Sequence, residues 1–381
     1  MSKKHSVKKT IKRVLGYGGA FMDVVYRVPE EFVASLRGAK GGAYNCAWEE
    51  QEAIIASIPE DCVKSRKVRA GGGIGNALSH IGAFAGILKA MMCAVVGDDK
   101  EGCQYIASLV DRDVDVSRVK KVPGAHTGRC LSLVTPDGER TMYTYQGINA
   151  ELGRHWPLKK SDFNGITSFY TEGYMLIDEP MMRRTLDIAR SCEDMEIHFD
   201  VGSVGVIMEH QNFIKVFLPS RVDYLYANYD EACALTGASI PEAIVDIMAV
   251  SYFCPLVKLG KDGAICVDDV KNEVVRVPLY DEPLEDDVDT TGAGDVWAGS
   301  FIMAHLTFGK NVTECVRWAN DGAYDFLDER SRLQNFTEDD YAEILKRLEA
   351  SMKDSDEFDV DALRNIEDAI LAEKKAKASE K

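Results

Sequence analysis

Short apolar runs alternate along this chain with stretches whose apolar residues recur every three or four positions. Residues 14–18, 91–97, 197–201, 224–227, 256–259 and 264–267 are runs suited to buried strands. Between them, residues 76–90 carry Ala77, Leu78, Ile81, Phe84, Ala85 and Leu88 on one side of a predicted helix. Residues 179–192 do the same with Met182, Leu186 and Ile188. This alternation predicts an α/β fold: a mainly parallel sheet flanked by helices, with ligand at the carboxyl ends of the strands. Residues 130–134 and 141–145 instead alternate in-out, with Asp137-Gly138 between them, which predicts an antiparallel hairpin in a small sheet closing over one edge. Beyond residue 336, Thr337-Glu338-Asp339-Asp340 opens a helical pattern through Tyr341, Ile344, Leu345 and Leu348. A second pattern carries Leu363, Ile366, Ile370 and Leu371 ahead of a charged tail at 374–381.

Charge and cysteine usage narrow the class. Among 381 residues, 45 basic against 62 acidic side chains give a net charge of -17, which argues against a general nucleic-acid binder. A local phosphate site remains compatible with it. The ten cysteines form no C-x-x-C pair and no zinc spacing, so they read as small buried residues of a reducing cytoplasm. The seven histidines form no metal-ligand pair. Lys3, Lys4, Lys8, Lys9, Lys12 and Arg13 precede an apolar run that imitates a signal peptide. Asp23 cuts that run short, no stretch is long enough to span a bilayer, and a first buried strand is the better reading.

The chemistry concentrates at Asp289-Thr290-Thr291-Gly292-Ala293-Gly294-Asp295, after an acidic, extended 285–289. Trp297, Phe301, Ile302 and Leu306 then recur at helical spacing. A Gly-Ala-Gly turn at a helix start leaves N–H groups outward with the positive end of the helix dipole behind them, a site for phosphate or a developing anion. Asp295 in the first turn could take a proton beside that anion. A lone Gly-x-Gly-Asp is more often an ordinary helix start, so the rest of the chain decides. Ala70-Gly71-Gly72-Gly73-Ile74-Gly75-Asn76 supplies glycines for close backbone approach and an amide able to pair with hydroxyls. The Walker pattern is absent. Gly16-Tyr17-Gly18 hints at a dinucleotide turn, but its third glycine position falls on Phe21, which ranks a dehydrogenase well behind.

In this order, the two glycine blocks resemble those of the PfkB family, the ribokinase-like sugar and nucleoside kinases, and the likeness extends over residues 12–335. Further matches are Gly16 to Asp23, Thr127 to Val134 with Asp137 to Met142, Asn228-Tyr229-Asp230-Glu231, and Lys258 to Ala264. The resemblance implies a ribokinase-like three-layer α/β/α fold with a small antiparallel β-sheet lid from about 24–69 and 125–147. It implies a kinase domain at 1–353 and a charged helical tail at 354–381. Asp295 is then the general base, Gly292, Ala293 and Gly294 the anion-holding turn, and Arg140 a lid counter-charge. Asp23, Gly72, Gly73 and Asn76 hold the acceptor, and Asn228, Lys258, Gly260, Gly263, Thr291 and Asn320 the nucleotide. Mg2+ is held through water by Asn228 and Glu231. The implied ligands are ATP and Mg2+, with K+ and a homodimer left open, and the implied partner is a small nucleoside or sugar, with no nucleic acid and no membrane.

Residues 18–25 with 27–32, 141–147 and 171–174 resemble the adenosine kinase branch more than ribokinase or fructokinase, which points to a nucleoside phosphorylated at its 5'-hydroxyl. A free-sugar kinase and a catalytically silent binding protein are the alternatives. Two departures stand out: the family often has Thr where Lys258 stands, and residues 33–68 are longer and more polar than a minimal lid needs.

Overall fold

The computed structural model describes residues 11–83, 88–279 and 290–334. The acidic run 285–289, Phe84 and Ala85 of the predicted helix, Lys3 to Lys9, the helical patterns after Thr337 and the boundary expected at 353 lie outside the described residues. By internal packing the chain divides into residues 1–283 with 291–324, and residues 284–290 with 325–381; every site residue discussed belongs to the first unit.

In chain order the strands are β1 (Lys12–Tyr17), β2 (Phe21–Arg27), β3 (Ala43–Asn45), β4 (Lys67–Gly71), β5 (Leu88–Gly97), β6 (Asp115–Val122), β7 (Gly128–Val134), β8 (Arg140–Tyr145), β9 (Ser168–Glu172), β10 (Glu196–Asp200), β11 (Tyr224–Asn228), β12 (Cys254–Lys258), β13 (Ala264–Asp268) and β14 (Glu273–Val277). The helices are α1 (Glu30–Ala34), α2 (Trp48–Ser57), α3 (Gly73–Gly82), α4 (Lys100–Val110), α5 (Leu152–His155), α6 (Glu179–Arg190), α7 (Val204–Glu209), α8 (Tyr229–Thr236), α9 (Pro241–Ser251), α10 (Ala293–Phe308) and α11 (Val312–Gln334).

Nine strands form a large sheet in the order β14-β13-β12-β11-β10-β9-β1-β5-β6. It is parallel from β12 to β6, and β13 and β14 add antiparallel at one edge. Its central strands are apolar on both faces because both are covered. Leu15, Tyr17, Cys93 and Val95 pack with residues of α5 to α9. Their alternates Val14, Met92, Ala94 and Val96 pack with α3, α4, α10 and α11. The result is the expected three-layer α/β/α arrangement. Because β1 lies between β5 and β9, the connections leave it in opposite directions. That opens a crevice at the carboxyl ends of the strands.

The small sheet runs β3-β8-β7-β2-β4. The predicted hairpin is present as antiparallel β7 and β8, turning at Gly138 with φ +83. The sheet is mixed rather than wholly antiparallel, since β2 pairs with β7 and β3 with β8 in parallel. Its apolar face (Val24, Tyr26, Leu131, Leu133, Tyr143) is covered by Val33 of α1 and Ile54 of α2. The long polar 33–68 segment therefore supplies α2 and the end of α1, which back this sheet. The helix predicted over 76–90 needs correction: α3 ends at Gly82, and Leu88 begins β5.

Candidate active site

Five consecutive strands of the large sheet present the site at their carboxyl ends. Tyr17 closes β1 ahead of Gly18 and Gly19, and the next strands end on Glu172, Asp200, Asn228 and Lys258. The register holds them at one level: Tyr17 lies beside Thr171, Asp200 beside Glu172 and Tyr226, and Asn228 beside Lys258. Charged groups collect at these ends because the interior of a sheet buried on both faces would leave them without solvent or partners.

Two glycine turns meet at this edge. Gly72 has φ +88, and a Cβ there would stand 2.6 Å from the Gly19 carbonyl oxygen. A Cβ on Gly73 would strike the Glu172 carboxylate and lie 3.2 Å from Asp295 Oδ1. A Cβ on Gly71 would strike the Asp23 carboxylate. The glycines thus let backbone and carboxylates meet without intervening side chains. From the second turn of α3, the Asn76 side-chain N–H donates to Asp295 Oδ2 at 2.8 Å.

Asp295 stands in the first turn of α10. The helix starts at Gly292 in the left-handed conformation, φ +83, and no side chain caps it. Its first N–H groups, around Ala293 and Gly294, have no carbonyl partner within the helix. Burial first, then Asp200 and Asp23, push Asp295 up to about 6, while Asn76 and Lys258 pull it down. A carboxylate raised to that range is able to exchange a proton near neutral pH.

The neighbouring groups form a charge network. Asn228 and Glu231 close a capping box on α8: the Asn228 backbone and side-chain N–H groups each donate to Glu231 at 2.8 Å, and Glu231 N–H returns to Asn228 Oδ1 at 2.9 Å. Burial, then Asp200, raise Glu231 to about 7. Burial, then Asp295 and Asp200, hold Glu172 well above the usual carboxylate range. Lys258 ion-pairs with Asp200 at 3.0 Å. Burial would lower its ammonium, but Asp200 and Glu231 outweigh it and raise it. Burial, with the neighbouring like charges behind it, favours the protonated forms of Glu172 and Glu231.

The remaining sequence-predicted residues divide. Asp23 lies on β2 beside Arg69 at 3.7 Å. Thr291 is half-buried just ahead of Gly292. Gly260 (φ +60) and Gly263 (φ +84) form the turn after β12, closed by Leu259 N–H to Gly263 O at 2.8 Å. Asn320 on α11 is used internally: it accepts from Trp297 Nε1 at 2.8 Å and donates to Val277 O at 2.9 Å. Its side chain therefore ties α10 and α11 to the end of β14. Arg140 pairs with Val134 at the hairpin end of the small sheet, level with Arg27. That is four residues, about 13 Å, along from the level of Asp23. Among the described residues no group of three or more His, Cys, Asp or Glu is placed to hold a metal directly. No single described helix is long and apolar enough to cross a membrane. All ten cysteines are free thiols. The sequence reading gave no site role to Glu172 or Asp200; a carboxylate within the apolar run 197–201 was the available signal for Asp200, while the polar β9 offered none for Glu172.

A sheet crevice with a glycine-started helix, a carboxylate raised toward neutrality and a part-buried lysine is an arrangement able to accommodate an anion such as phosphate. The pfkB family carbohydrate kinase profile matches residues 49–323. The chain belongs to that family. It is 25% identical over 236 residues to the guanosine-inosine kinase of Escherichia coli (strain K12), covering 60% of this chain and 54% of that one. It thus spans about half the length of that curated relative. It is similar to the crystal structure of adenosine kinase from Sinorhizobium meliloti, at 26% identity and TM-score 0.73 over 83% of this chain and 94% of that one. A Thermotoga maritima ribokinase shares the fold, at 20% identity and TM-score 0.62 over 82% and 92%.

Proposed function

We propose that this chain is an ATP-dependent kinase of an adenosine-like nucleoside, transferring a phosphoryl group to its 5'-hydroxyl with Asp295 as general base. The observation that carries the reading is the placement of Asp295: on the first turn of an uncapped helix, fixed by Asn76, with a pKa raised to about 6. In the transfer, the Asp295 carboxylate takes the hydroxyl proton as the oxygen–phosphorus bond forms. The bond from the γ-phosphorus to its bridging oxygen breaks, and ADP leaves. The N–H groups of Gly292, Ala293 and Gly294 are aimed where charge spreads over the moving phosphoryl group.

Asp23, Gly72, Gly73 and Asn76 would hold the acceptor, and the 260–263 turn with Thr291 would flank the nucleotide. Asn228 and Glu231 already satisfy one another, so they suit a Mg2+ that keeps its waters, an ion that neutralises phosphate charge when bound. The nucleoside acceptor is supported by the names of the guanosine-inosine and adenosine kinases among the similar proteins. Free thiols suit a cytoplasmic setting. A homodimer draws no support from the small sheet, whose apolar face α1 and α2 already cover.

The test is ADP release from ATP and Mg2+ across adenosine, inosine, guanosine, ribose and fructose. A signal with nucleosides supports the reading. A signal confined to a free sugar overturns the acceptor and keeps the chemistry. Ligand binding without ADP release would favour a silent binding protein.

A further inference from the structure

Phosphoryl transfer at this edge needs positive charge, and the described surroundings are mostly acidic. Asp200 raises Glu172, Glu231 and Asp295 alike, and Asp23 adds to the charge on Asp295. The resemblance assigned the counter-charge to Arg140, but the register sets that residue at the far end of the small sheet. Lys258 stands inside the site. Its stem is buried, with 16% of the side chain exposed. A Cβ on Gly294 would lie 3.3 Å from its Nζ, so the ammonium sits over the first turn of α10. Asp200 accepts one of its protons and is itself fixed, because its other oxygen accepts from Gly202 N–H at 2.9 Å. An ammonium has three donors, and Asp200 is its only hydrogen-bond acceptor among the described residues.

Resting on the phosphotransferase reading, we infer that Lys258 is a catalytic residue whose ammonium contacts the phosphoryl group during transfer, with Asp200 as the residue that positions it. A cation fixed on a strand end is in place before any closing of the small sheet. Its charge is therefore preorganised for the transition state and needs no reorganisation during the reaction. The side chain that marks this chain's departure from the more common Thr then has a chemical purpose: it replaces a hydroxyl beside the nucleotide with a full positive charge.

The alternative is a structural ion pair only, and a charge-balanced variant separates the two. Lys258→Met leaves Asp200 buried and unpaired, so it loses stability as well as function. Adding Asp200→Asn removes that uncompensated charge. The measurement is kcat and KM for ATP with the best nucleoside acceptor, alongside thermal melting, for wild type, Asp200→Asn, Lys258→Met and the double variant. The double variant is expected to melt closer to wild type than Lys258→Met does. Its kcat should stay about 10²-fold or more down, with KM for ATP changed far less, as befits a group acting in the transition state. Recovery of kcat to within about threefold of wild type in the folded double variant would leave Lys258 structural and overturn the inference alone. A wild-type protein inactive on every acceptor would instead overturn the phosphotransferase reading, and this inference with it.

Discussion

Replacing Asp295 by Asn keeps the size and shape of the side chain and removes its capacity to take a proton. Asn76 can still donate to the amide oxygen that replaces Asp295 Oδ2, so the turn keeps its anchor. Loss of a general base costs about 10²- to 10⁴-fold in turnover, and that range is the expected fall in kcat. The pH dependence sharpens the test. With Asp295 near 6, about nine-tenths of the sites are ionised at pH 7, half at pH 6 and about a tenth at pH 5. Wild-type kcat/KM should therefore fall about tenfold per pH unit below 6, and the variant should lack that limb.

Stability moves the other way. A carboxylate raised from 3.8 to about 6 binds its proton more tightly folded than unfolded. Its neutral form thus contributes stability fully present below about pH 4 and lost as pH rises through 6. The ionised form costs at most about 3 kcal/mol, less what solvent screening removes, since Asp295 keeps partial exposure. The Asn variant should therefore melt higher than wild type at pH 8, with the gap closing toward pH 4. The assays are ADP release against pH and thermal melting at the same pH values. Activity within about threefold of wild type, or a profile that keeps the limb near 6, would refute the assignment of the base.

Three further outcomes follow from the geometry. Asn76→Ala removes a hydrogen bond that favours ionised Asp295, so the acid limb of kcat/KM should move to higher pH; an unmoved limb would show that the contact is idle. Asn320→Leu strands Trp297 Nε1 and the Val277 carbonyl, each costing about 1–3 kcal/mol. Its melting temperature should fall while KM for ATP holds at temperatures where it is folded; a large rise in that KM would restore Asn320 as a nucleotide contact. Gly72→Ala forces a Cβ at φ +88 toward the Gly19 carbonyl, a strain of about 1–3 kcal/mol. It should lower the melting temperature and raise the acceptor KM, and an unchanged melt would contradict the close approach.

Much of the large sheet was legible because its strands are buried on both faces. The run 224–227 reads as apolar since Leu225 and Ala227 face one core while Tyr224 and Tyr226 face the other. β9 escaped notice for the opposite reason: Ser168, Thr171 and Glu172 are polar yet buried, held beside the site. β6 is an edge strand rich in Lys and Arg, and its partly exposed pattern hides it. Leu88 kept the helical phase of α3 by coincidence, so periodicity alone overran the true end at Gly82. At the site, glycine turns and Asp295 carry local signatures. The contact of Asn76 with Asp295 spans 219 positions, and no local pattern encodes it. Asn320 looks like any helix residue until Trp297 and Val277 are placed around it.

The most direct measurement is mass-spectrometric analysis of the product formed from adenosine, ATP and Mg2+ by the purified protein, with Asp295→Asn run in parallel. The account predicts adenosine 5'-monophosphate with the wild type and a trace with the variant. No phosphorylated nucleoside from the wild type, or equal yield from both proteins, would contradict it.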